Sequence, residues 1–169
     1  MDQHENRVLC DSTTGIANQR AFSQRLEYEL NRAKRYKRAL SLMIMSIDDF
    51  HSLGATYGSA SSDEVLKRAV AVVQQYIRNT DIPARLNRDR IAIIFPETTS
   101  ATALLVAERI REKLSADPIL DDVPDLRVTA SIGLVAFPSH AREEHDLMAK
   151  AIEFLEAAVK QGGNSVYNG

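Results

Sequence analysis

The sequence has a single cysteine, Cys10, and so no second thiol with which to close a disulfide or share a zinc ion. That excludes a disulfide-stapled scaffold and fits work in a reducing cytoplasm. No apolar run approaches the roughly 20 residues a membrane helix needs, and Met1 to Arg7 are too polar for a signal peptide, so no membrane insertion is expected. Neither sign of charge dominates: 21 Lys and Arg against 23 Asp and Glu leave a formal net charge of -2. No global field therefore draws the chain onto nucleic acid or anionic lipid, and any anion site must be local. There is no internal repeat and no low-complexity segment. His51, His140 and His145 are dispersed, and Glu143-Glu144-His145-Asp146 reads as an acidic helix start rather than a metal cluster. No metal ligand set and no cofactor is expected, and no Ser, His and acid form a recognisable nucleophile motif.

What is present suits one domain. The chain has 169 residues, 44% hydrophobic and 26% charged, enough to bury a core. Residues 1–10 show no periodicity and read as a linker or N-terminal extension, leaving residues 11–169 as the domain. Asp11-Ser12-Thr13-Thr14-Gly15 is a turn. Phe22, Leu26, Leu30 and Ala33 recur at helical spacing between Asn18 and Arg38. The basic cluster Arg32, Lys34, Arg35, Lys37, Arg38 at that helix's end is accounted for by the helix dipole. Leu40 to Ile47 reads as a buried strand. A second helix is expected after the capping set Ser61-Ser62-Asp63-Glu64 and ends near Arg78. Ala84 to Leu86 and Ile91 to Phe95 flank Asn87-Arg88-Asp89-Arg90 as a hairpin. A helix over Thr99 to Leu114, a strand within Arg127 to Phe137, a helix from about His145 to Lys160 and a short strand from Ser165 to Tyr167 complete the order. Gly162-Gly163 supplies a left-handed stop. Helices mixed with a hairpin and single strands predict an α+β fold, a central and mainly antiparallel sheet flanked by helices.

Read together, the punctuation is specific: Asp11-x-x-Thr14-Gly15-x-x-Asn18, Ile47-Asp48-x-Phe50, Tyr57-Gly58, Asp63, Ala84-Arg85, Ser131-Ile132-Gly133 and Gly162-x-Asn164. Over residues 11–167 this resembles a GGDEF domain of the diguanylate cyclase family. The resemblance implies the nucleotide cyclase and polymerase-palm fold, with its ferredoxin-like core. It also implies, for active members, condensation of two GTP molecules to cyclic di-GMP across a head-to-tail homodimer.

Measured against that family, the GTP chemistry is depleted in four separate stretches. Such a condensation needs divalent metal, carboxylates to hold it and a thin backbone turn. The family's metal-binding aspartate at the end of the first strand falls at Ser46. The guanine-reading asparagine and its acidic neighbour fall at Gly54 and Ala55, although Asp63 remains. The signature turn reads Asn87-Arg88-Asp89-Arg90-Ile91, keeping only Asp89. The lysine and arginine that contact the phosphates fall at Val159 and Gly163. The expectation is a degenerate, noncatalytic domain in which Asp89 and Asp63 are vestigial.

A second family site is kept. Arg78-Asn79-Thr80-Asp81 stands five residues before the signature turn, where product cyclic di-GMP binds and inhibits many members, and Arg109 falls where a further arginine often joins that ligand. Guanidinium groups suit phosphate and purine, and a carboxylate suits the guanine edge. The expected function is a cyclic di-GMP receptor module binding through Arg78, Asp81 and Arg109 and signalling to a protein partner or attached regulatory domain, with a homodimer possible. Two alternatives stay open: a nucleotide-independent dimerisation or interaction domain, and an allosteric GTP-binding remnant.

Overall fold

The structure, a computed structural model, describes residues 9–169. Most of the expected N-terminal extension, residues 1–8, lies outside the described residues. Leu9 and Cys10 are already tied to the domain: the Leu9 carbonyl accepts from the Asn18 N–H at 2.9 Å, and Cys10 bridges Ala17. Asp11 builds the predicted turn by accepting from the Thr14 N–H at 2.8 Å and its hydroxyl at 2.7 Å. Asn18 then caps helix α1 (Gln19–Tyr36) by accepting from the Ala21 N–H at 3.0 Å.

The remaining elements are β1 (Leu40–Ile47), α2 (Phe50–Tyr57), α3 (Ser59–Tyr76), β2 (Ile82–Arg85), β3 (Arg90–Pro96), α4 (Ser100–Ala116), β4 (Ala130–Phe137), α5 (Glu144–Lys160) and β5 (Val166–Tyr167). The five strands form one sheet in the order β2-β3-β1-β4-β5. Every pairing is antiparallel except β4 with β5. This is the expected α+β architecture. β2 contains Pro83, which has no N–H to donate, and lies accordingly at an edge.

The strands are apolar on both faces because both are covered by helices. Met43, Met45, Ile91, Ile93, Ile132 and Leu134 pack with Val65, Leu66 and Ala107 from α3 and α4. Leu42, Ile44, Ala92, Ile94 and Val135 pack with Leu26, Leu30 and Leu155 from α1 and α5. Each such fully buried Leu or Ile contributes about 1.5–3 kcal/mol of apolar transfer free energy. Alternate residues of β1 therefore serve two cores, which explains its unbroken hydrophobic run. The closest approach is at Gly133 on β4, where an added Cβ would stand 2.3 Å from the Ala151 carbonyl oxygen and 2.4 Å from the Leu155 nitrogen of α5. Only glycine lets α5 lie so near the sheet.

The structure corrects three local expectations. α2 was not anticipated, because it buries only Phe50 and Leu53, too few to show a period. α3 starts at Ser59, ahead of the supposed capping set: Gly58 at φ 90 precedes it with no side-chain cap, and Ser62 donates to the Ser59 carbonyl at 3.0 Å. It ends at Tyr76, so Arg78 stands beyond the helix. The strand expected within Arg127 to Phe137 runs from Ala130 to Phe137, so Val128 and Thr129 of its β-rich run precede it.

Candidate functional site

Two local sites were expected, and they occupy different parts of the sheet. At the C-terminal end of β1, Ser46 pairs in register with Arg90 on β3 and Ser131 on β4. The β2–β3 turn closes beside it, with Asn87 accepting from the Arg90 N–H at 3.1 Å. Ser46, Asn87, Asp89 and Arg90 line a cleft of about 460 Å³ with Glu156, Val159 and Lys160 of α5. Asp89 thus faces the end of the first strand across a shared cleft.

The cleft carries charge of both signs. Its acids, Asp89 and Glu156, are matched by the cations Arg90 and Lys160. Asp89 makes no ion pair with Arg88 or Arg90, and among the described residues no three His, Cys, Asp or Glu are grouped to share a metal. Lys160 was missed in the sequence, where attention rested on Val159; it brings one cation back from the adjacent position. Asp63 is exposed near the start of α3 and does not line this cleft. Gly54 and Ala55 lie on α2.

The remaining acid of the first strand's end is committed elsewhere. The Asp48 carboxylate accepts from the Thr129 hydroxyl at 2.6 Å, the Ser131 hydroxyl at 2.6 Å and the Asn164 N–H at 2.9 Å. Gly163, at φ 74, brings its backbone so near that an added Cβ would stand 3.0 Å from Asp48 Oδ2. Asp48 is therefore a clasp joining β1, the approach to β4 and the segment after α5.

Arg85 links the N-terminal turn to the hairpin. Its guanidinium lies 3.2 Å from Asp11 and donates to the Asn87 carbonyl at 3.0 Å and the Arg88 carbonyl at 2.8 Å. Burial raises the Asp11 pKa, but the Thr14 bonds and the Arg85 charge outweigh it and hold the carboxyl below its ordinary value of 3.8.

The Arg-x-x-Asp segment follows α3. Asp81 is buried, and its carboxylate accepts from the Arg78 backbone N–H at 2.8 Å and lies 3.4 Å from the Arg78 guanidinium. Arg78 also donates to the Thr98 hydroxyl and the Pro96 carbonyl. Arg78 and Thr80 line a groove of about 330 Å³ with Arg25, Arg32, Glu29 and Glu97. Arg25 and Arg32 were not singled out for this site, and no sequence spacing joins α1 to the segment after α3. Buried Glu29 lies 3.6 Å from Arg25 and 2.9 Å from Arg32. Arg109 is exposed on α4 and does not line this groove, and its side chain makes no hydrogen bond or ion pair with a described residue.

Residues 8–165 match the family described as "Diguanylate cyclase, GGDEF domain". The chain is similar to YhcK of Bacillus subtilis strain 168, 31% identical over 166 residues that make up 97% of this chain and 46% of that protein. It is similar to the response regulator PleD of Caulobacter vibrioides, 30% identical over 168 residues, 98% of this chain and 37% of that protein. The chain thus spans less than half the length of these relatives. Among solved structures, the GGDEF domain of TpbB (YfiN) from Pseudomonas aeruginosa superposes with a TM-score of 0.89 at 27% identity, covering 94% of this chain and 93% of that one. The GGDEF domain of DgcB from Caulobacter crescentus, in complex with c-di-GMP, has the same fold: TM-score 0.87 at 24% identity, covering 95% of each chain.

Proposed function

The chain belongs to the diguanylate cyclase GGDEF-domain family, a signalling domain of the cyclic di-GMP pathway, and we propose that this member no longer makes the dinucleotide but senses it. The observation that carries the first half is the fate of the carboxylates at the end of β1. Ser46 brings no charge, and Asp48 is held by three donors. Asp89 shares its cleft with Arg90 and Lys160, whose charges oppose a divalent ion. A GTP condensation run there would lack the metal that neutralises the triphosphate. Purified protein with GTP and Mg²⁺ or Mn²⁺ is expected to yield no cyclic di-GMP. Turnover that Asp89→Ala abolishes would overturn the reading.

Sensing is assigned to Arg78 and Asp81; Arg109, expected as a further ligand contact, stands on α4 outside the groove that Arg78 lines. The groove at Arg78 carries two more guanidinium groups, Arg25 and Arg32, suited to a dianionic ligand. Occupancy would be passed to a protein partner or attached regulatory domain. One observation favours the other reading, a nucleotide-independent interaction domain: Asp81 is already satisfied by Arg78, so the segment closes its own turn without a ligand. Calorimetric titration separates the two, since binding of cyclic di-GMP that is lost in Arg78→Ala supports the receptor and its absence supports the interaction domain.

A further inference from the structure

A third place in the molecule gathers charge that neither site uses. It lies at the opposite end of β1 from Ser46, where Leu40 pairs with Phe137. α1 stops at Lys37, in the left-handed region at φ 53, and the chain turns through Arg38 and Ala39 into β1. Beside this turn the segment after β4 carries Pro138 and Arg142. Between them is a cleft of about 470 Å³, floored by Ala39, Phe137 and Pro138.

Its rim is cationic: Lys34, Lys37, Arg38 and Arg142, against the one acid Glu143. Glu143 is taken by Lys34 at 2.8 Å. Lys37, Arg38 and Arg142 are exposed, and their side chains make no hydrogen bond or ion pair with any described residue. The helix dipole accounts for cations in the last turn of α1. It does not account for Arg142, which reaches the same cleft from another segment. In a chain whose formal net charge is -2, this local excess of positive charge is specific to the place. Like charges around one cleft repel, and a bound anion removes that repulsion.

We propose that this cleft binds a small organic phosphate of nucleoside diphosphate type without a metal ion, separately from the cyclic dinucleotide. The volume is that of a small-molecule site. Paired guanidinium and ammonium groups suit a multiply charged phosphate chain. The apolar floor suits a flat organic body, which inorganic phosphate lacks.

The test is calorimetry with ADP in the presence of a chelator, at low and high salt, with pyrophosphate as the body-less comparator. The variants are Arg142→Ala and Lys37→Gly; glycine accepts the left-handed turn at 37, so that variant removes a cation without straining the backbone. ADP should bind more tightly than pyrophosphate and weaken with salt. Each variant should weaken it about tenfold or more. Saturating cyclic di-GMP should leave ADP binding unchanged. The proposal falls if millimolar ADP gives no heat, if pyrophosphate binds as tightly, or if an oligoglutamate peptide binds more tightly than ADP. It also falls if ADP binding ignores Lys37→Gly and Arg142→Ala but is lost in Arg78→Ala or Arg90→Ala. None of these results decides whether cyclic di-GMP binds at Arg78.

Discussion

Asp48 and Asp89 both lie near the C-terminal end of β1, and removing each should have very different consequences for stability. Asp48→Ala strips the acceptor from the Thr129 and Ser131 hydroxyls and from the Asn164 N–H. Ser131 is fully buried, so its hydroxyl loses a partner that water cannot replace. A buried group left unpaired costs about 1–3 kcal/mol. The other two donors are more accessible and recover part of their loss through hydration, which puts the total near 3 kcal/mol. For a domain of this size that lowers the melting temperature by roughly 6–12 °C. Asp89→Ala, by contrast, removes a carboxylate with no hydrogen bond or ion pair to a described residue, and should stay within about 0.5 kcal/mol of the parent. Thermal unfolding of both variants with and without Mg²⁺ is the assay. A loss below about 1 kcal/mol in Asp48→Ala would refute the clasp, since a single unsatisfied buried group already costs that much. Stabilisation by Mg²⁺ that vanishes in Asp89→Ala would refute the view that this cleft rejects a divalent ion.

Arg78→Ala should weaken cyclic di-GMP binding about ten- to hundredfold while costing about 1 kcal/mol of stability, because the Arg78 guanidinium is largely exposed and buried Asp81 keeps its bond from the backbone N–H at 78. Asp81→Asn keeps an acceptor for that backbone bond, so calorimetry on it reads the carboxylate's contact with ligand apart from its part in the turn. Gly133→Ala should destabilise the domain by about 3 kcal/mol or more, measured by denaturant unfolding, since the methyl meets backbone atoms that cannot rotate away. The depressed Asp11 pKa contributes stability that is fully present above the ordinary value of 3.8 and is lost as pH falls through the lower folded-state value. Asp11→Asn should therefore flatten that part of an acid unfolding curve, and an unchanged curve would remove Asp11 from the account.

The strands were legible because β1, β3 and β4 are buried on both faces, and a run such as Leu40 to Ile47 has no other economical reading. The turn chemistry of Asp11 and Asn87 was legible for a similar reason: both side chains act within three residues of themselves. What the sequence hid was distance. Asp48 reads as a motif residue, but its partners Thr129 and Ser131 lie 81 and 83 positions away, at the start of the strand that register places beside β1. Arg25 and Arg32 join Arg78 only because α1 packs across a face of the sheet, and Lys160 enters the cleft beside Ser46 one step from the position that the family's pattern marks. α2 was invisible because two buried residues make no period.

The seating of α5 on Gly133 makes the two walls of the cleft beside Ser46 unequal. One wall, carrying Glu156, Val159 and Lys160, belongs to a helix whose backbone rests directly on the sheet with no side chain between them to act as a bearing. It can neither slide nor tilt without lifting off the core. The opposite wall is a turn held by Asn87 and by the reach of Arg85 from the Asp11 loop, contacts that hinge rather than clamp. Any change in the shape of that cleft must therefore come from the hairpin side, where the motion is coupled through Arg85 to the chain's entry into the domain.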